Sequence, residues 1–178
     1  MGGIFMDTSN NPNIPVDIFD SLYSIDRHHL RHNLKDNYKF LGQGASRMVY
    51  EFDENFVIKI SKNRTGKYQS RTENYIYTSV DEKHRKYFCP IVWYKEGMIV
   101  MRKALPFTEM LKLKHGNIFE FTNIKPDSEF FQTIKKIAKH YDLLYPDIKT
   151  ISSWGILDKK PVLIDYGCTN KLYDEYFY

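Results

Sequence analysis

Residues 40–60 read FLGQGASRMVYEFDENFVIKI. Two glycines, Gly42 and Gly44, stand in a short loop, and a single lysine, Lys59, stands between Ile58 and Ile60 in an apolar run. RMVYEF and NFVIKI read as strands, and Asp53, Glu54 and Asn55 make a short polar turn between them, so the stretch predicts a hairpin. In such a strand Ile58 and Ile60 face one way and pack the sheet, while Lys59 faces the other. What a lysine does there is decided by the rest of the chain.

The bulk numbers bound the answer. A chain of 178 residues suits one domain, or two small lobes sharing a core. Apolar residues make up 42%, ample for an interior, and the 14 tyrosines and 12 phenylalanines supply large contacts with polar handles. The net charge of +4 is mild and the acidic residues are scattered, which does not describe a nucleic-acid domain. It suits phosphate ligands, an acidic partner or simply a solvated surface. Cys89 and Cys168 are far apart and unpatterned, so neither zinc nor a disulfide framework is indicated. A reducing, cytoplasmic setting is expected. No apolar run approaches the ~18 residues of a membrane span. The start, MGGIFMDTSNNPN, lacks the pattern of a secretory signal, and Gly2 is a poor match to a myristoylation start.

Along the chain, residues 1–15 are rich in Asn, Gly and Pro and read as loose. Ile18, Leu22 and Ile25 recur at helical spacing, giving one or two short helices before Asp36, with Pro15 at a helix start. Residues 62–67 read as a polar loop containing Gly66. QSRTENYIYTSVDEK reads as a helix with Glu73 inside it, and CPIVWYKEGMIVMRKAL as a hairpin. PFTEMLKLKHG reads as a short helix stopped by Gly116. SEFFQTIKKIAKHYDLL is a convincing helix, with Phe130, Ile134, Ile137 and Tyr141 on one face and Ser128 as its cap. A loop, YPDIKTISS, a hairpin, WGILDKKPVLID, and a short tail follow. Strands, helix, strands, helix, loop and hairpin in that order predict an α+β fold rather than a βαβ series.

These pieces together resemble the protein kinase-like superfamily. LGQGASRMVY is similar to the glycine-rich loop, LGxGxxGxVY, and VIKI to the VAIK strand that follows it. Glu73 resembles the helix-C glutamate that pairs with the strand lysine. GMIVMRKA is similar to the fifth strand and hinge, with Met101 at the gatekeeper position and Lys103 in the hinge. YPDIKTIS resembles the catalytic loop HRDLKPEN, and LIDYG the DFG turn. All six appear in the family's order, between Phe40 and Gly167. The resemblance implies a kinase-like N-lobe at 37–105, with an antiparallel sheet and helix C. A partly helical extension at 1–36 precedes it and a reduced C-lobe at 106–178 follows.

The resemblance also implies ATP and Mg²⁺ as cofactors and assigns roles. Gly42, Gly44 and Ser46 would lie against the nucleotide, the glycines letting backbone N–H groups come close to a phosphate. Lys59 would bind the α and β phosphates and Glu73 would hold its ammonium. Asp165 would bind Mg²⁺, Asp147 would accept or orient the proton of an attacking hydroxyl, and Lys149 would steady the transferred phosphoryl group. A second register places the catalytic aspartate at Asp142, within HYDLLYPD. The Asp147 register is preferred because it keeps Asp147 and Lys149 two apart, as in the family.

Three departures stand out. The third loop glycine is Arg47, which reads as a surface residue or as a phosphate ligand. The catalytic-loop asparagine, a Mg²⁺ ligand, is replaced by Ser152 or Ser153, whose hydroxyl brings no charge. Only eleven residues follow Gly167, too few for an activation segment and a full substrate lobe, which makes the chain similar to the short kinase-like proteins of bacteria and their phages.

Two functions are therefore expected. One is an ATP- and Mg²⁺-dependent phosphotransferase acting on a protein hydroxyl, Ser or Thr, its own included. The other is a pseudokinase that binds nucleotide or a protein partner without transfer. A homodimer would be one way to complete the fold. The basic stretches KKIAKH, KLKH and RHHLRH read as solvated helix faces, with no specific nucleic acid as partner. His28, His29 and His32 read as a surface cluster rather than a metal site. Trp93 and Trp154 read as core residues, and nothing indicates a lowered pKa for Cys168.

Overall fold

A computed structural model of the chain describes residues 12–177. The reading of residues 1–15 as loose, and that of Gly2, lie largely or wholly outside the described residues. The first described helices are α1, Val16–Ser24, and α2, Arg27–Asn37, the latter capped by the Asp26 side chain. Strands β1 Lys39–Gln43, β2 Arg47–Glu51 and β3 Phe56–Ser61 follow. Next come α3 Arg64–Ser79 and a short α4 Glu82–Arg85, then β4 Ile91–Lys95 and β5 Met98–Arg102. These strands form one antiparallel sheet in the order β1-β2-β3-β5-β4. A second part holds β6 Leu105–Pro106, α5 Phe107–Leu111, α6 Ile118–Phe121, α7 Glu129–His140 and α8 Tyr145–Lys149. The β7 Trp154–Leu157 and β8 Lys160–Leu163 hairpin and α9 Asn170–Phe177 close it. This is an α+β architecture, with the sheet and its long helix first and a small, mainly helical part second.

The strand period divides the sheet into two faces. Tyr50, Ile58, Ile60, Met98 and Val100 point to the outer face, where Phe19, Leu22, Leu30 and Leu34 of the two N-terminal helices bury them. Ile99 and Met101 point the other way, into a larger core shared with Ile76 of α3, Ile134 and Ile137 of α7, and Trp154. Lys59 pairs across the sheet with Val49 and Ile99, so it belongs to this inner face. Its neighbours Ile58 and Ile60 go outward and leave it aimed at α3.

Several local readings are corrected by tertiary contacts. Residues 62–67 are not a loop: α3 begins at Arg64, with the Asn63 side chain accepting from the Gly66 N–H as its cap. Gly66 is there for contact, because a Cβ on it would stand 2.2 Å from the Ser46 carbonyl oxygen. The short helix after Pro106 ends at Leu111 rather than Gly116, since Lys112 turns left-handed at φ 54°. On α7 the fully buried aromatic is Phe131, with Phe130 only half-buried, and Ser128 caps the helix through the Phe131 N–H. The loop at 145–149 is a helical turn, and the tail forms α9. Trp93 and Trp154 are both buried, the first under α1, where its indole donates to Asp20, and the second within the larger core.

Phe19 anchors the outer layer. It is fully buried and meets Phe52, Phe56 and Trp93 edge-on, with centroids 5.0–6.1 Å apart. Truncating a buried aromatic of this kind costs about 3–5 kcal/mol. Urea denaturation of Phe19→Ala is expected to show a loss in that range; a loss within ±0.5 kcal/mol, the usual size for a surface change, would mean that the N-terminal helices are not part of the folded core.

Candidate active site

The inner face of the sheet, helix α3 and the end of β8 converge on one buried carboxylate. Glu73 is completely buried. It accepts from Lys59 Nζ at 3.1 Å, from Arg47 Nη1 at 2.7 Å and from the Tyr166 N–H at 3.3 Å. Lys59 also donates to the Ile164 carbonyl at 2.6 Å, and Arg47 Nη2 donates to Asp165 Oδ1 at 2.6 Å. A lysine on β3 and an aspartate beyond β8 thus meet through α3. The strand–loop registers explain the meeting. Arg47 lies opposite Ser61 and Val49 opposite Lys59, so Arg47 and Lys59 share a face.

The turn after β8 is fixed from two sides. The Ser153 carbonyl accepts from Ile164 and Asp165, and the Phe88–Leu163 bridge ties the strand to the segment after α4. Tyr166 turns inward, packs on Phe88 and donates its hydroxyl to the Cys89 carbonyl, while Asp165 keeps 55% of its side chain exposed. Gly167 lies so close to α3 that a Cβ would stand 2.5 Å from the Gln69 carbonyl oxygen. Beyond it, the Cys168 carbonyl accepts from the Leu144 N–H, which seats α8 so that Asp147 feels the Asp165 charge.

Charge follows this packing. Burial works against the Arg47 cation, but Glu73 and Asp165 outweigh it and hold the guanidinium firmly protonated. Partial desolvation by its neighbours pushes the Asp165 carboxyl up, and the Arg47 and Lys59 cations overcome it and hold the group below the ordinary carboxylate value. Asp147 has no such cation. Its partial burial, with the neighbouring Asp165 charge second, raises it to about 6, although the Cys168 thiol pulls slightly the other way. Cys168 itself is raised to about 11 by burial and by the same two carboxylates, so it is not an activated thiol.

The sequence candidates fare differently. Lys59, Glu73, Asp165 and Asp147 are brought together. Gly42 and Gly44 are open, with nothing within 4 Å of where a Cβ would stand. Ser46 is buried, and its hydroxyl donates to Gln69 on α3 rather than facing the loop's open side. Met101 is buried in the larger core. Lys103 reaches back to Glu51 at 3.0 Å. Lys149 lies with its ammonium 4.7 Å over the Tyr145 ring. Ser152 is exposed and Ser153 is buried with its carbonyl engaged, and nothing ties either hydroxyl to Asp165. Asp142, the alternative catalytic residue, is structural: at φ 56° it ends α7, and its side chain accepts from Asn170 and the Lys171 N–H at the start of α9. The histidines remain exposed on α2, and among the described residues no cluster of three or more His, Cys, Asp or Glu side chains is arranged for a metal.

Arg47 is the residue that sequence reasoning misplaced. It is not on the surface; it is buried and paired twice, to Glu73 and Asp165. The signal was its register, two residues before Val49 on the strand face that carries Lys59. Lys62 was also missed: its ammonium reaches the Gly44 carbonyl at 3.0 Å.

No protein-family model matches the chain, and no curated protein does. Among solved structures, the ADP-bound aminoglycoside phosphotransferase APH(2'')-Ib is similar at 12% identity and a TM-score of 0.45, over 80% of this chain and 71% of that one. The APH(2'')-IIa of a streptomycin–ATP ternary complex is similar at 12% identity and a TM-score of 0.42, over 88% and 71%. The arrangement described above rests on this chain's own strand order and on the Lys59–Glu73 pair.

The electrostatics yield a direct check. In the metal-free protein, NMR titration of the Asp147 carboxyl is expected to give a pKa of about 6. Asp165→Asn removes the like charge beside it and should lower that value. An unchanged or raised value would show that the two carboxylates do not face each other.

Proposed function

We propose that the chain is an ATP- and Mg²⁺-dependent phosphotransferase of the kinase-like type, acting on a hydroxyl. The observation that carries this reading is the meeting of Lys59, Glu73 and Asp165 with Asp147 alongside, from four separate segments of the chain. A fold needs no such convergence of charge, and its assembly beside two open glycines supplies what a nucleotide triphosphate requires.

The residues present fit the cofactor. Mg²⁺ is commonly held by one or two carboxylates together with substrate phosphates, and Asp165 can supply such a carboxylate. The free space around Gly42 and Gly44 leaves room for a phosphate beside the loop, although the Gly44 N–H itself donates to the Arg47 carbonyl at 3.0 Å. When bound, Mg²⁺·ATP supplies the transferable phosphoryl group and a cation that neutralises its charge.

The chain's own residues do the rest. Lys59, held by Glu73 and the Ile164 carbonyl, presents a fixed positive charge to the α and β phosphates. Asp165 offers a partly exposed carboxylate, which Arg47 holds in the nucleotide-free chain. Asp147 accepts or orients the proton of the acceptor hydroxyl. Lys149 contributes only if its ammonium leaves the Tyr145 face. The acceptor class that the kinase resemblance supports is a protein Ser or Thr hydroxyl, the chain's own included.

A pseudokinase reading is favoured by one observation, the Arg47 contact on Asp165. Labelled ATP separates the two. Wild type incubated with ATP and Mg²⁺ should label itself or a protein of a host lysate. Asp147→Ala should lower the rate by about 10²–10⁴-fold, the usual worth of a positioned base, and Asp165→Asn should abolish it. Nucleotide at a hundredfold excess over its Kd should stabilise the fold by about 2.7 kcal/mol. Stabilisation without label would support the binding module, and the absence of both would contradict nucleotide recognition altogether.

A further inference from the structure

The Arg47 side chain occupies a place where the kinase resemblance expects a glycine, and so no side chain at all. It is 6% exposed and bonds two carboxylates through two nitrogens, Glu73 Oε2 at 2.7 Å and Asp165 Oδ1 at 2.6 Å. Glu73 already has Lys59 as a cation, at 3.1 Å. The second guanidinium contact therefore goes beyond keeping Glu73 satisfied. It reaches a carboxylate that is otherwise open to the cleft, 55% exposed.

The charge count makes the consequence plain. Arg47 and Lys59 balance Glu73 and Asp165, so without a metal ion only the Asp147 charge is left uncompensated. Take Arg47 away and Asp165 faces Asp147 with one cation fewer, an arrangement that attracts a divalent ion. Two like cations on the same carboxylate oppose each other, and the opposition is larger in a partly desolvated cleft than in water. A guanidinium also has a ready alternative partner, because its planar fork matches phosphate oxygens. The chain places that fork at the base of the Gly42–Gly44 loop, in β2, on the strand face shared with Lys59.

We propose that Arg47 is a positioning residue that gates metal loading. In the nucleotide-free protein it stands in for the metal at Asp165, and a divalent cation binds there only once nucleotide phosphate has drawn the guanidinium away. Loading is then ordered, nucleotide first or nucleotide with its metal, and never metal alone. This inference rests on the reading of Asp165 as the metal ligand.

The test uses Mn²⁺ as the probe, read by electron paramagnetic resonance on the full chain, with and without a non-hydrolysable ATP analogue. Without nucleotide, Asp165-dependent Mn²⁺ binding should be at least about tenfold weaker in the wild type than in Arg47→Met, as expected from removing an adjacent cation. Adding Asp165→Asn should abolish that site. Arg47→Lys, which keeps the charge, should behave as the wild type, a result that a purely structural role for Arg47 does not predict. With the analogue present, wild type and Arg47→Met should converge. If Arg47→Met does not fold, Arg47→Gln carries the same comparison. The wild type decides the matter in any case: nucleotide-free Mn²⁺ binding at Asp165 as tight as with the analogue overturns the gate. Binding that needs nucleotide but is unchanged in Arg47→Met also overturns it while leaving Asp165 as a ligand. Failure of every form to bind Mn²⁺ at Asp165 overturns the metal reading on which it rests.

Discussion

A buried carboxylate must be compensated, and the Glu73 side chain is the constraint from which the rest of this structure follows. An uncompensated charge at a fully buried position costs several kcal/mol. The chain meets that cost with two cations and a backbone N–H drawn from three separate regions: Arg47 from β2, Lys59 from β3 and Tyr166 from the turn after β8. Each donor fixes the element that carries it. The sheet is held to α3, α3 to the β8 turn, and Asp165 is thereby aimed into the cleft.

Backbone contact does the remaining positioning. Gly66 and Gly167 let α3 lie against the Ser46 carbonyl on one side, and let the turn beyond Asp165 lie against the Gln69 carbonyl on the other, at separations that no side chain would permit. The helix is thus wedged between the glycine loop and the aspartate turn, and a movement of one is felt by the other. The N-terminal helices stabilise this from behind. They cover Ile58 and Ile60, the neighbours of Lys59, and so keep β3 in the orientation that sends the lysine inward.

Much of this was legible in the sequence because it resides in short local patterns. Gly42, Gly44, Lys59, Glu73 and Asp165 each sit in a run of four to ten residues whose apolar periodicity and order along the chain can be read without coordinates. What escaped depends on contacts across the chain. Gly66 looks like a loop signal because glycine usually is one, whereas here it serves a helix–loop contact. Arg47 looks like a surface residue because its burial depends on β2–β3 register and on Asp165, which lies 118 residues away. Ser46 and Lys103 lie beside motif positions, yet their side chains are claimed by Gln69 and Glu51. The short helices α6 and α9 carry too few residues to show a period.

The central claim is spatial: Lys59 and Asp165 are two sides of one triphosphate site. A crystal structure with a non-hydrolysable ATP analogue and Mg²⁺ tests it most directly. The account predicts phosphate oxygens within hydrogen-bond reach of Lys59 Nζ and of the backbone around Gly44, with the metal on Asp165. Nucleotide bound elsewhere, or an ordered cleft that stays empty at saturating analogue, would contradict it.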